Sequence, residues 1–272
     1  MNAPGAAARA LRGPGRPGFF LHERFCDPGV GRAMLDEVIA IARDAAAGRA
    51  VSPAVVMPES QAGFSGRNAE DLVSKVFKLH RRGSFRAFLA RDDVARILVE
   101  ALGPDVDCFL SQFIFKNPGA WGQPWHQDSY YFDFDPPRPI VALWLAVTEA
   151  TLANGCLHVL PGSQSEPVHA HVPDARPNAS YGYVEIVDHD MSASRPCLLQ
   201  PGDLLAFDSH LMHRSTDNAS DGLRAAMVWH FSRPGTVDLG MDLGRGPRFK
   251  SPLNDWLPVV RGGAPVPVDE VA

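Results

Sequence analysis

The chain has 272 residues and a mass of 29.5 kDa, long enough for one large domain with a substantial hydrophobic core. Its 26 Lys and Arg against 31 Asp and Glu give a net charge of -5, and no long basic run argues for a nucleic-acid partner. With 45% hydrophobic and 21% charged residues, the composition is that of a globular protein and excludes a disordered one. No stretch of 18 consecutive apolar residues occurs, so no membrane span is expected. Twenty-four Gly and 24 Pro exclude a fold of long helices and favour turns and short strands. Cys26, Cys108, Cys156 and Cys197 form no CxxC pair and read as buried free thiols of a cytoplasmic protein.

Residues 1–18 are broken repeatedly by Pro and Gly and read as a flexible arm, although Arg9, Arg12 and Arg16 leave a targeting segment open. The stretch from Phe19 to Cys26 reads as an edge strand. A helix follows, with Asp27 as N-cap, Pro28 in the first turn, and Leu35, Val38, Ile39 and Ala42 at helical spacing up to Gly48. Residues 51–68 carry neither period and read as a loop. A second helical region spans 85–102, with Phe88, Leu89, Val94, Ile97, Leu98 and Ala101 on one broad face.

The pattern changes near residue 107. Six short segments rich in β-branched, aromatic and other apolar residues follow up to residue 231, separated by Pro, Gly, Asn and Asp. This spacing suits a sandwich or barrel better than βαβ units, whose crossovers need helices. Residues 234–272 read as loop-rich. The expected organisation is one domain over 19–272, with a helical front and a β core over about 107–231.

The chemical signal is Trp125-His126-Gln127-Asp128. In an extended chain residues i and i+2 share a face, so His126 and Asp128 can turn to one metal while Gln127 faces away. His213, after the segment PGDLLAF, is the best third ligand, with His210 competing on composition and spacing. Two imidazoles and a carboxylate with open positions suit mononuclear non-haem Fe(II). A structural zinc site is the competing reading, although closed zinc sites favour cysteine and a fourth protein ligand. Arg224, eleven residues past His213, offers a two-pronged grip for the carboxylate of an organic acid.

Four ordered motifs extend this pattern: FKNPGAWGQPWHQDSYYF, ALWLAVTEATLANGCLHVLPGSQ, GDLLAFDSHLMHRSTDNAS and LRAAMVWHF. With them the sequence, from about Phe19 to Phe231, resembles the phytanoyl-CoA dioxygenase (PhyH) family of Fe(II)- and 2-oxoglutarate-dependent oxygenases. One departure is Gln164, where histidine is common. The resemblance implies a double-stranded β-helix, a jelly-roll, cupin-like core. It implies His126, Asp128 and His213 as iron ligands and catalytic centre, with 2-oxoglutarate and O2 as cosubstrates. It further implies Arg224 and Ser215 at the far carboxylate of 2-oxoglutarate, Trp144 at the wall of its pocket, and Lys75 near the same pocket. In that looser stretch a solvent-facing lysine on a helix or loop is an equal reading for Lys75. His210 is then left to a supporting role. Related halogenases carry Ala or Gly at the carboxylate position, so Asp128 favours hydroxylation, with desaturation or ring formation sharing its first step.

For the substrate, Tyr130, Tyr131, Phe132 and Phe134 follow the metal strand and are candidates for the pocket mouth, with Asp133 and Asp135 between and beyond them. Gln112, Trp121, Gln127 and Trp229 are further pocket candidates. The segment SYGYVEIVDHDMSASRP, with His189, is a candidate cover. The absence of a basic patch favours a free small metabolite over a CoA ester. The oligomeric expectation is a monomer or homodimer. Two rival readings use the same barrel: a cupin-like metal isomerase, which has no need of Arg224, and a non-catalytic binding module, which has no need of an intact triad.

Overall fold

The computed structural model describes residues 11, 15–59, 61, 64–176, 183–241 and 248–270. The front of the chain supplies the helices. Asp27 accepts a hydrogen bond from Gly29 N at 2.7 Å and caps α1, Pro28–Ala46, whose buried face carries Met34, Val38 and Ile41. The second helical region divides into α2, Gly83–Leu89, and α3, Asp92–Leu102. The division falls at Arg91, whose extended backbone and pairing with Asp93 start α3 afresh, with Asp92 and Asp93 on its positive end.

The strands are β1 (Phe19–His22), β2 (Val55–Pro58), β3 (Val73–Phe77), β4 (Val106–Lys116), β5 (Phe134–Asp135), β6 (Val141–Ala146), β7 (Leu157–Val159) and β8 (Val172–Pro173). They continue with β9 (Val184–Glu185), β10 (Arg195–Cys197), β11 (Leu204–Asp208), β12 (His213–Ser215), β13 (Arg224–Ser232), β14 (Val237–Asp238), β15 (Leu257–Arg261) and β16 (Ala264–Pro265). The large sheet runs β1-β11-β6-β13-β4. The far side of β4 is shared, with β3 pairing at Gln112–Ile114 and β15 at Val106–Cys108. A small sheet, β10-β7-β12, faces it, and a single bridge between His126 and His213 extends β12. With mostly strands and three helices among the described residues, the arrangement is jelly-roll-like.

Strand alternation sorts the large sheet into two faces. Val141, Leu143, Leu145, Met227, Trp229 and Phe231 pack with the helices. Ala142, Trp144, Phe207, Ala226 and Val228 face Leu157 and Val159 of the small sheet. Arg224 and His230 share the parity of Ala226 and Val228, so both turn toward the space between the sheets.

Three sequence expectations need correction. Residues 51–68 contain β2, an edge strand on β3, and Lys75 lies on β3 rather than on a helix or a solvent-facing loop. β3 escaped a periodicity reading because it is buried on both faces and does not alternate, and β2 because its four residues are too few to show a period. The C-terminal segment is not only loop, since β15 adds to the large sheet. Residues 1–10, 12–14 and 177–182 fall outside the described residues, so much of the expected arm and cover does too. The described end of the arm is tied down: Gly162 N donates to Pro17 O and Gln164 Nε2 to Arg16 O. All four cysteines are free and buried.

Candidate metal and cosubstrate site

His126 and His213 are backbone partners, each N–H donating to the other's carbonyl at 3.0 Å. This bridge sets their rings 4.1 Å apart, centroid to centroid. Asp128 opens the 3-10 turn Asp128–Tyr131, and its Oδ1 lies 3.5 Å from His126 Nε2 and 3.8 Å from His213 Nε2. The ligand atoms of the three residues all lie within 4.8 Å of one another, and all three residues are buried.

The opposite ring nitrogens fix the tautomers. His126 Nδ1 donates to Pro124 O at 2.8 Å and His213 Nδ1 to Leu211 O at 2.9 Å. Each Nε2 lone pair is thereby turned toward Asp128, as a metal ligand requires. His230 Nε2 donates to Asp128 Oδ2 at 3.0 Å, orienting the carboxylate from behind. Burial opposes ionisation of Asp128, but the His213, His230 and His126 imidazoles outweigh it and hold the carboxyl well below its usual range. Burial, with His126 beside it, pushes the His213 imidazole down to about 4, so it is neutral at physiological pH. The donor set and its tautomers fit one divalent ion with positions left open.

The triad opens on a cavity of about 460 Å³. Arg224, 1% exposed, lines it with Nε and Nη1 unpartnered, its guanidinium 5.7 Å from the Trp144 ring centroid. Burial lowers its pKa to about 10, which still leaves it charged at neutral pH. Ser215 Oγ accepts from Lys116 Nζ at 2.8 Å and Gln123 N at 3.1 Å, leaving its own O–H to donate into the cavity. Lys116 also donates to Thr216 O at 2.5 Å, and burial holds its pKa well below the ordinary lysine range. Burial lowers the Lys75 ammonium to about 8; it lies 4.8 Å from the Tyr183 ring centroid. Close backbone contact supports this corner. A Cβ on Gly122 would stand 1.9 Å from Ser215 O, and one on Gly155 2.3 Å from Thr216 O.

The match to the phytanoyl-CoA dioxygenase (PhyH) family model runs over residues 15–226. The chain belongs to the phytanoyl-CoA dioxygenase family. It is 30% identical over 170 residues to peroxisomal phytanoyl-CoA dioxygenase of Bos taurus, covering 60% of this chain and 50% of that protein. It is 29% identical over 168 residues to phytanoyl-CoA dioxygenase domain-containing protein 1 of Rattus norvegicus, covering 58% and 57%. The aligned part thus spans about half the length of these curated relatives. In fold it resembles the non-heme monooxygenase ThoJ, with a TM-score of 0.65, 20% identity and coverage of 90% and 86%. It also resembles EctD from S. alaskensis, solved with 2-oxoglutarate and 5-hydroxyectoine, with a TM-score of 0.65, 20% identity and coverage of 86% and 76%. A third likeness is the epimerase SnoN, solved with Fe3+, alpha ketoglutarate and nogalamycin RO, at a TM-score of 0.63, 18% identity and coverage of 97% and 95%.

In this PhyH-family chain the cavity brings together His126, Asp128, His213, Arg224, Ser215, Trp144, Lys75, Gln112, Tyr131, Trp121 and Phe132. Six other candidates lie elsewhere. Trp229 is on the helix face of β13, stacked on Phe88 at 4.8 Å, because strand parity turns it away from Arg224. Gln127 faces opposite its neighbours and pins loops, donating to Pro167 O and His210 O and accepting from His169 N. Tyr130 stacks on His171 at 4.2 Å and does not line the cavity. Phe134 packs with Phe109 behind the apolar wall of the cavity and does not line it, and Asp133 pairs with Arg248. His210 is half exposed and bonded to Ser129, outside the triad. His189 contacts Glu166 instead of the cavity.

Sequence reasoning missed Lys116, Tyr183 and His230. His230 was open to discovery, since it is six residues from Arg224 and so on the same strand face. Lys116 is the register partner of Arg224 on β4, a long-range pairing with no local signal. Tyr183 arrives from the segment before β9, which was assigned only as a general cover.

Proposed function

We propose that this chain is an Fe(II)- and 2-oxoglutarate-dependent dioxygenase that hydroxylates an unactivated C–H bond of a small, largely apolar metabolite, with succinate and carbon dioxide as co-products. The observation that carries this reading is the buried Arg224 guanidinium, with Nε and Nη1 unpartnered, on the same cavity as the His126, Asp128 and His213 cluster. A buried cation without a counterion is costly, and a dicarboxylate supplies what it lacks.

His126, Asp128 and His213 would hold the iron. When bound, iron supplies oxygen activation coupled to oxidative decarboxylation of the keto acid. Arg224 stays protonated and clamps the distal carboxylate. Ser215 donates its hydroxyl to the same carboxylate, held in place by Lys116 and Gln123 N. Trp144 forms a flat wall beside Arg224, and Lys75 adds positive charge that favours the dianion. His230 keeps Asp128 turned to its ligand position.

Tyr131 and Gln112 line the same cavity and are the substrate contacts we assign there. Met57, Phe77, Leu110, Phe132 and Leu253 give the cavity a large apolar wall, which suits a compact, mostly uncharged substrate in free form. We assign the activity to a single oxygenase domain over 19–272, and the four buried thiols suit a reducing compartment such as the cytoplasm. Among the described residues no helix is long and apolar enough to cross a membrane.

The test is turnover of a metabolite panel with 18O2. Labelled succinate together with a substrate product that gains one labelled oxygen supports hydroxylation. Labelled succinate with an isomerised or desaturated product retains the oxygenase class and rejects hydroxylation. Absence of succinate across the panel rejects the reading.

A further inference from the structure

Away from the main cavity, Glu166, His169 and His189 bring three ligand atoms within 4.8 Å of one another. Glu166 ends the turn that begins at Ser163, His169 follows three residues later, and His189 comes from the segment after β9. Glu166 Oε2 lies 2.8 Å from His169 Nε2 and 3.1 Å from His189 Nε2. On the other side of its ring, His189 Nδ1 lies 3.0 Å from Asp190 O.

A neutral imidazole carries one N–H. With both nitrogens of His189 facing oxygen acceptors, one lone pair faces an oxygen unless a proton or a cation lies between. His189 repeats the layout of the triad histidines, where His126 and His213 each spend Nδ1 on a backbone carbonyl and turn Nε2 to a carboxylate. Such a second partner is what fixes a metal-ligating histidine.

We propose that Glu166, His169 and His189 form a second metal site that takes a divalent cation, zinc above all, with water completing the tetrahedron. Zinc bonds to nitrogen and oxygen of about 2.0–2.1 Å place tetrahedral ligand atoms roughly 3.3 Å apart. The two Glu166–histidine separations of 2.8 and 3.1 Å therefore need to open by a few tenths of an ångström, and the third, between the two imidazoles, is within 4.8 Å. Their side chains are 38%, 21% and 21% exposed, so an ion reaches them from solvent without passing through the main cavity. Between Zn2+ and Fe2+ at such a nitrogen and oxygen site, intrinsic affinity favours zinc.

The site has a structural consequence. His169 N donates to Gln127 Oε1 at 2.8 Å, and Gln127 N donates to His171 Nε2 at 3.1 Å. Gln127 stands between His126 and Asp128, so an ion on the outer cluster fixes the 166–171 segment against the strand that carries two triad ligands.

The experiment is metal counting on the full-length chain, stripped with chelator, loaded with Zn2+ and desalted. Wild type is expected to retain two equivalents. Asp128→Ala with His213→Ala is expected to retain one, and adding Glu166→Gln to remove it or weaken its binding at least tenfold. Glu166→Gln preserves side-chain shape, and far-UV circular dichroism checks the fold of each variant; His189→Ala in the same background is the second readout. One equivalent in wild type and none in the triad double variant overturns the proposal, as does an outer equivalent unmoved by Glu166→Gln and His189→Ala. The cluster is then an imidazolium–carboxylate pair.

Discussion

Lys116 and Arg224 are register partners on neighbouring strands, two buried basic side chains set side by side against one cavity. Lys116 is satisfied by Ser215 Oγ and Thr216 O, whereas Arg224 keeps two nitrogens unpartnered. Burial, and then the Arg224 charge, hold the Lys116 ammonium below its ordinary range. In the proposed reading a dianionic cosubstrate would offset both effects, which would tie the pairing of β4 and β13 to the selection of a dicarboxylate. Replacing Lys116 with Met should raise the KM for 2-oxoglutarate by about 10–100-fold, the range for losing one charge-assisted hydrogen bond, with a smaller change in kcat. Steady-state succinate formation against 2-oxoglutarate concentration measures both. An unchanged KM would remove Lys116 from the cosubstrate site.

The lowered pKa of Lys75, about 8 through burial, gives the site a pH dependence. Below that pH the ammonium is charged and favours the dianion; above it the amine is neutral. Affinity for 2-oxoglutarate should therefore fall as pH rises from 7 to 9, and Lys75→Met should flatten that dependence. Binding titrations at several pH values in both proteins give the answer, and parallel profiles would contradict the assignment.

His230 acts through Asp128. Its Nε2 donates to the carboxylate oxygen that does not face the two triad histidines most closely. Loss of such an orienting partner costs about 10–100-fold in metal affinity in other sites. His230→Ala should weaken Fe(II) binding by that range and also lower the thermal unfolding temperature of the metal-free protein, because a buried carboxylate loses its donor. Competition with a chelator of known affinity measures the first, and calorimetry the second.

Trp229 should behave in the opposite way. It stacks on Phe88 at an interplanar angle of 3° in the core between the large sheet and the helices. Trp229→Ala should destabilise the fold by about 3–5 kcal/mol, the range for deleting a buried aromatic side chain. Urea denaturation measures this. Affinity of the remaining folded protein for 2-oxoglutarate should stay within about twofold.

The sequence made the triad legible because i and i+2 on an extended chain share a face, a rule that needs no tertiary information. That rule placed His126 and Asp128 together and Gln127 away from them, as observed. Applied to β13, the same rule separates Arg224 from Trp229, and its omission there sent Trp229 to the wrong face. Lys116, Tyr183 and the β2–β3 pair depended on long-range register, which no local pattern carries. The break at Arg91 turned on a local ion pair within a continuous apolar stripe, so periodicity alone joined α2 to α3.

The central claim is that one cavity binds iron at His126, Asp128 and His213 and 2-oxoglutarate at Arg224 together. Its most direct test is an anaerobic titration of the Fe(II)-loaded protein with 2-oxoglutarate, followed by the visible charge-transfer band of a chelated keto acid. Wild type should give a saturable band, Asp128→Ala with His213→Ala none, and Arg224→Ala saturation only at a concentration at least tenfold higher. A wild-type protein that binds Fe(II) yet gives no band, or an Arg224→Ala variant that saturates like wild type, would contradict the account.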